Sequence, residues 1–440
     1  MVAAWMGGLV AVALWPSVAS AHAVLLRATP SSTVSLEQAP AQVQLLFSEP
    51  LDPVFSKVRV LNSNGRQVDR ADSHVDPDND RLLVASLQPN LPNGIYTVTW
   101  RSLSAIDVHP DDGEYPLFVG VPVTSAVTAT VTSAFTATPA TTLGRWWFYV
   151  AASLFGGVLA AWKFVLSGLL VGEHAGMRPV MRRVTCRLVV LGGGLLIVGT
   201  LFTAVAQASA AANVPLLDAI GRPVADLLLR GRFASIWWPR MGLEVASLLL
   251  IVFGGIDGLA SECGLATLPA VLLTSALTSH GAALSRSAGT GIAVDWLHIV
   301  GATAWVGGLL IVLSFALVLR GSEDPSALLR PMVARFGRFA LLSALVVLSS
   351  GVLQGTLEVG SWTALQTTLY GQLVLLKTLL LIAMLLLAGF NEWRARTTSR
   401  VAIAQVRGFG RGLSVELAFG MVVFAVAAML SGTPPPPGGY

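Results

Sequence analysis

Two of the six histidines in this 440-residue chain stand where metal chemistry is readily written. His22 follows Ala19-Ser20-Ala21, the small-x-small pattern at which a secretory signal peptide is cut; an uncleaved anchor is the alternative. Cleavage after Ala21 makes His22 the N-terminus. Its α-amine and imidazole can then chelate one ion, a nitrogen pair suited to Cu(II). The second is His109, in Ser104-Ala105-Ile106-Asp107-Val108-His109-Pro110. Asp107 and His109, two apart on an extended segment, are expected to point to one side. Alone, such a pair reads as a turn hydrogen bond. Coupled to a processed His22, it reads as a metal site.

Ionisable groups inside apolar stretches are costly and mark function. His280, Asp295, His298, Lys377 and Glu244 fall in the outer halves of the predicted spans and are expected to form one polar layer. His280 and His298, in consecutive spans at similar depth, are candidate copper ligands. The simpler alternatives are an interfacial His280, and a Lys377 that snorkels outward or pairs with Glu244. Glu416 enters the last span from the cytoplasmic side and does not reach this layer. Cys186 and Cys263 sit at cytoplasmic span boundaries, where thiolates would suit Cu(I), although buried inert cysteine is commoner. With no other cysteine, a disulfide scaffold and a cysteine-rich zinc site are excluded. Trp237, Trp238, Trp296 and Trp305 fit interfacial anchors or packing, and Gly301, Gly307 and Gly308 fit close helix contact. His74, in Asp72-Ser73-His74-Val75-Asp76-Pro77-Asp78-Asn79-Asp80, lacks the Gly and final Glu of an EF-hand and reads as a solvated loop.

The elements that must hold these residues follow from patterning. The chain is 54% hydrophobic and only 12% charged, with mean hydropathy +0.70, which excludes an ordinary soluble protein. Residues 1–140 carry twelve acids against seven bases and the remainder twelve against twenty-one, an acidic front at −5 and a basic back at +9. The bases lie in short clusters between apolar runs, so they set membrane topology and do not form a nucleic-acid surface.

After the signal segment 1–21, residues 22–121 show short alternating runs at Gln42–Phe47, Lys57–Leu61, Leu82–Leu87, Tyr96–Trp100 and Tyr115–Val119, predicting an all-β sandwich. Residues 122–143, rich in Thr, Ala, Val and Ser, read as a tether. From 144 to 433 eight apolar runs predict an all-α membrane domain of eight spans, followed by a Pro/Gly tail at 434–440. With the N-terminal domain translocated, cytoplasmic loops hold most of the arginines and both ends lie on the periplasmic or extracellular side of the cytoplasmic membrane. Only the segment 209–240, with four arginines, runs against the charge rule.

The start His22-Ala23-Val24-Leu25-Leu26-Arg27-Ala28-Thr29-Pro30, the strand Leu46-Phe47-Ser48-Glu49-Pro50, the strand Gly94-Ile95-Tyr96-Thr97-Val98-Thr99-Trp100-Arg101 and the Asp-x-His-Pro turn resemble the periplasmic copper-binding protein CopC. The resemblance implies a cupredoxin- or immunoglobulin-like sandwich binding Cu(II) through His22, Asp107 and His109, with Glu49 as a secondary carboxylate. Val108 stands where the family usually has Gly. The soft thioether site of some members is missing, because no methionine lies between Met6 and Met177.

Thr278-Ser279-His280-Gly281-Ala282-Ala283 and Leu297-His298-Ile299-Val300-Gly301-Ala302-Thr303-Ala304-Trp305-Val306-Gly307-Gly308 resemble the membrane protein CopD, the usual fusion partner of CopC. A CopC–CopD fusion implies copper passage across the membrane, in import, homeostasis or resistance. Its partners would be the copper ion, the lipid bilayer, a periplasmic copper donor and a cytosolic acceptor, and not nucleic acid. No Walker A sequence is present, so transport would be passive or gradient-coupled. The alternatives are a copper-dependent oxidative enzyme and a haem-binding redox protein with His280 and His298 as axial ligands.

Overall fold

A computed structural model describes residues 23–123, 138–284, 287–320, 326–397 and 403–436. The signal segment and His22 lie outside the described residues, as does most of the tether.

The N-terminal part is an all-β domain of two four-stranded sheets. One is ordered β1 (Leu25–Thr29), β3 (Gln42–Phe47), β6 (Asn79–Ser86), β5 (His74–Asp76); the other β2 (Ser35–Leu36), β8 (Pro110–Val119), β7 (Gly94–Leu103), β4 (Lys57–Leu61). Side chains alternate as a half-buried strand requires. Val43, Leu45 and Phe47 point inward from β3, and Tyr96, Val98 and Trp100 from β7, into one core between the sheets. Strands β1, β2 and β5 are too short or irregular to show in the pattern. His74, expected in a loop, starts the edge strand β5 and is exposed.

Ten helices follow. They are α1 (Pro139–Leu166), α2 (Arg178–Ala212), α3 (Arg222–Leu229), α4 (Gly231–Gly254), α5 (Leu259–Ala276), α6 (Ala288–Leu319), α7 (Ser326–Val359), α8 (Trp362–Thr367), α9 (Leu369–Thr397) and α10 (Ile403–Leu430). All but α3 and α8 are long and apolar enough to cross a bilayer, eight in number. Helix α1 begins inside the stretch assigned to the tether. Thr138 Oγ1 accepts the Thr141 N–H at 3.2 Å and Pro139 takes the first turn, an N-terminal cap that overrides the low-complexity composition.

Helices α1 and α6 form the centre of the bundle, and α1 contains two π turns, Ser153–Gly157 and Trp162–Leu166. A Cβ on Gly307 would stand 2.4 Å from the Gly157 carbonyl carbon, so these two backbones meet because neither residue has a side chain. Leu375, Leu379, Ile382 and Leu386 of α9 are exposed, as a lipid-facing surface requires.

The β-domain docks on the bundle. Phe55, Leu103 and Val108 form one apolar cluster with Ala208 and Ala211 of α2, Ala219, and Leu227 of α3. Arg101 donates to the Ala211 carbonyl at 3.0 Å and also to that of Ala210, capping the C-terminal end of α2. Much of the arginine-rich segment 209–240 therefore serves this junction and the bundle. Arg240 lies within α4, paired with Glu244 at 3.1 Å and stacked on the Phe148 ring, so its charge is matched inside the protein. Local pairing here outweighs the loop-charge bias.

Candidate metal centre at the domain junction

The turn between β7 and β8 carries the first two ligand candidates. Val108 has φ +61°, a left-handed conformation that a β-branched residue rarely adopts. This twist, and not extended-strand alternation, turns Asp107 and His109 to one side. The His109 N–H donates to Asp107 Oδ1 at 3.1 Å, and His109 Nδ1 lies 3.0 Å from Asp107 Oδ2. Val108 is held by packing at the junction, and its carbonyl accepts a hydrogen bond from Gln207 of α2. A glycine at this position would avoid the cost, of order 1–3 kcal/mol for such a conformation.

Behind the turn, Ser104 Oγ donates to Glu49 Oε2 at 2.6 Å and accepts the backbone N–H groups of Ile106 and Asp107. Glu49 thus supports the turn through Ser104. Burial first, and then the neighbouring charge of Asp107, push its carboxyl from the ordinary 4.5 up to about 8, so it is neutral at pH 7. At Val24 the chain is anchored beside this point, with its N–H donating to Ser48 Oγ at 2.9 Å.

The third ligand candidate comes from the bundle. His280 does not continue the fourth span: α5 ends at Ala276, and His280 opens a short 3-10 turn, His280–Ala283. A Cβ on Gly281 would lie 2.8 Å from Gly291, so the turn rests directly on the start of α6. His280 Nδ1 is 3.9 Å from Asp107 Oδ2, and the His280 ring stacks on that of His109, with centroids 5.1 Å apart. Asp107, His109 and His280 each offer a ligand atom within 4.8 Å of the others, the one such group among the described residues. All three are buried, at 3, 3 and 5% exposure.

Two further groups close the centre. His109 Nε2 lies 3.0 Å from Arg145 Nη2 of α1 and 3.1 Å from the Ser431 carbonyl at the end of α10. Nε2 thus faces a donor, the guanidinium, and an acceptor, the carbonyl, while Nδ1 faces Asp107.

From this centre a cavity of about 180 Å³ runs into the bundle. Its wall includes His280, Asp295, His298, Glu358 and Lys377. His280 and His298 therefore share a cavity but face different partners: His280 turns to the β-domain, while His298 Nδ1 lies 3.1 Å from Ser350 Oγ of α7. Tyr370 packs its ring edge-on to His280 and donates its hydroxyl to Glu358. Gln354 then bridges Glu358 and Asp295, at 3.4 and 3.0 Å. Lys377 is electrostatically coupled to Asp295 and Glu358. The alternative pairing of Lys377 with Glu244 does not form: Glu244 is held by Arg240 and by Thr200 at 2.9 Å.

Sequence reasoning missed Arg145, Glu358, Gln354 and Tyr370. Only the fold turns them inward, into the wall of this cavity. Cys186 and Cys263 are half-buried free thiols on different helices, and neither belongs to a group of three ligand-type residues among those described.

The fold and this centre define a two-part membrane protein with three candidate metal ligands gathered at its seam. The CopC domain family matches residues 25–120 and the copper resistance protein D family, CopD, residues 330–430. The copper transport protein CutJ of Bacillus subtilis is 30% identical over 442 aligned residues, 98% of this chain and 78% of CutJ. The inner membrane protein YebZ of Escherichia coli is 39% identical over 22% of this chain and 32% of its own length. The crystal structure of CopC from Methylosinus trichosporium OB3b is 31% identical and covers 22% of this chain and 93% of that one, with a TM-score of 0.20. The chain belongs to the family of CopC–CopD fusions. It is a copper-handling membrane protein.

Proposed function

We propose that the chain captures Cu(II) outside the cytoplasmic membrane and passes copper inward. The signal segment is cleaved after Ala21, and the amine and imidazole of His22 join Asp107, His109 and His280 around the ion. The observation that carries this reading is His280, a residue of the membrane half, standing within reach of the two β-domain ligands. The anchored chain at Val24 beside Ser48 supports His22 as a neighbour of the site. These five donors, four nitrogens and one carboxylate, suit Cu(II). Glu49 serves as a supporting carboxyl through Ser104.

Because His280 also faces the bundle cavity, an ion leaving the β-domain has no gap to cross. Its next neighbours are Tyr370, Glu358, Asp295 and His298, in a pocket where Lys377 offsets the two acids. Arg145, beside His109, repels a bound cation and favours its onward release. The acidic β-domain attracts the ion from a periplasmic donor, and the basic loops fix the orientation that delivers it to a cytosolic acceptor. The copper reading is favoured over bis-histidine haem because His280 is stacked on His109 and turned away from His298.

The test is a Cu(II) titration of the purified full chain. Tight binding should disappear when one residue is added before His22, and in Asp107→Ala. Unchanged affinity in both variants overturns the proposed site.

A further inference from the structure

Two buried acids on different helices meet in the cavity beneath the metal centre. Asp295 of α6 is 8% exposed and Glu358 of α7 5%. The side-chain amide of Gln354, one turn before Glu358, donates to both, at 3.0 Å to Asp295 Oδ1 and 3.4 Å to Glu358 Oε1. Tyr370 donates its hydroxyl to the other oxygen of Glu358 and sets its ring edge-on to His280. Ser279, the residue before His280, hydrogen-bonds to Asp295. Each acid is thus joined to the His280 turn by one side chain.

The charges in this wall do not balance. Lys377 of α9 acts electrostatically on both acids. Arg145 and Arg240 line the same cavity but face His109 and Glu244. The other titratable groups around the acids are Tyr149 of α1, Tyr370 of α9 and the imidazoles of His280 and His298. Phenols, and for the most part imidazoles, carry no charge at pH 7. Two carboxylates and one ammonium therefore leave one negative charge in a space of about 180 Å³ walled by protein, where an unmatched charge is costly. Two neighbouring acids bridged by one amide avoid that cost by holding one proton between them. The cavity beyond Trp305, whose ring lines both, differs: it measures about 190 Å³, its walls are mostly apolar, and its Glu416 is paired with the Asn391 amide.

We propose that Asp295 and Glu358 share one exchangeable proton, which leaves as a copper ion enters the cavity and is regained as the ion moves on. The exchange rests on the copper passage proposed above and supplies its coupling, proton counter-transport. The O–H bond of the shared carboxyl breaks, the proton passes to water on the outer side, and the freed carboxylate faces the ion. A proton taken from the inner side restores the pair once the copper has left. For a singly charged ion the charge of the pocket is unchanged through the step; a doubly charged one leaves a single positive charge, which favours its departure. Lys377 sets the count, because without it the two acids would need two protons.

The full chain is reconstituted in vesicles of phosphatidylethanolamine and phosphatidylglycerol that hold one dye for copper and one for pH, with the membrane potential clamped by potassium and valinomycin. Cu(II) is added outside at pH 7, with the lumen at pH 7 or pH 6. Entry into the acidic lumen should be up to about tenfold faster, the ratio of proton concentrations across one pH unit, and lumenal protons should leave as copper enters. Glu358→Gln and, independently, Asp295→Asn each leave a single acid matched by Lys377. Both variants should take up copper at one rate from either lumen and move no protons, and either carries the test should the other fail to fold. Wild-type entry that is equal at both lumenal pH values, without proton exit, overturns the exchange while copper passage stands. A pH dependence that persists in both variants overturns the assignment to these acids. Wild-type entry no greater than that of His280→Ala overturns the passage itself, and the exchange with it.

Discussion

The β7–β8 turn and the polar layer of the bundle handle charge in opposite ways. In the turn, Asp107 and His109 are neighbours in sequence, locked by a left-handed Val108 and by Ser104, and they lie within 3.0 Å of each other before any ion arrives. In the bundle, Asp295, His298, Glu358 and Lys377 come from α6, α7 and α9, and the acids are already offset by Lys377 and by hydrogen bonds from Gln354 and Tyr370. A preorganised carboxylate and imidazole give tight capture, because little ordering remains to be done on binding. Pre-neutralised groups give a weaker, passable environment. His280 stands between the two regimes and belongs to both.

The largest effect that tests this contrast is on capture. Asp107→Ala removes the oxygen shared by both histidines and should weaken Cu(II) binding at least a hundredfold in a competition titration, while Asp295→Asn should change it less than threefold. Similar losses in the two would erase the distinction between capture and passage.

His280→Ala separates the regimes in a different way. Cu(II) binding should fall about tenfold, while copper accumulation by cells should fall to the level of cells lacking the protein. Full accumulation in that variant would mean that the ion reaches the bundle by another route.

The bundle's balance is tested by Lys377→Met, which leaves Asp295 and Glu358 without their cation. Removing one partner of a buried charge set costs about 3–5 kcal/mol, so the thermal midpoint of the purified protein should drop markedly. Lys377→Met combined with Glu358→Gln should recover much of it. A midpoint unmoved by the single change would show that the two acids carry no charge needing an offset.

Glu49→Gln probes the support behind the turn. An acid whose folded pKa rises from 4.5 to about 8 holds its proton in the fold after the unfolded chain has lost it. The wild type therefore loses stability as pH rises from about 4.5 to about 8, and Glu49→Gln lacks that slope. The measurement is a series of unfolding midpoints of the metal-free protein across this window. Parallel curves would show that Glu49 is ionised at neutral pH, and thus a direct ligand candidate again.

The smallest effect is expected at Val108→Gly. Relief of a left-handed β-branched residue, about 1–3 kcal/mol, opposes loss of a buried valine side chain, about 1.5–3 kcal/mol. Stability should change by about 1 kcal/mol or less, with copper affinity intact. A large loss of affinity would make the strained backbone, and not the two side chains, the feature that sets the site.

Periodicity alone was enough for the two-part architecture. Strands alternate with period two in the first hundred residues, and apolar runs of bilayer length follow, so both signals are carried by neighbouring residues and need no tertiary information. The Asp107 and His109 pairing was legible for the same reason, although its geometry depends on a φ sign at Val108 that side-chain spacing cannot reveal. The start of α1 at Pro139 was hidden by composition, since a single Thr138 cap decides it.

Only the tertiary structure decided what meets what. Sequence depth put His280, His298, Lys377 and Glu244 in one layer, because position along a span fixes height in the membrane but not the direction a side chain faces. A 3-10 turn after Ala276 swings His280 up to the β-domain, and Arg240, one helical turn before Glu244, claims that acid first. Of the two readings of Trp305, anchor or packing, the fold selects packing, with the ring buried in the walls of two cavities. The chain by itself wrote the ligands, the spans and their order; the rotation of each helix about its axis and the docking of the sandwich brought residues 107, 109 and 280 to one point. Those rotations are set by close packing among many distant side chains, which no local pattern records.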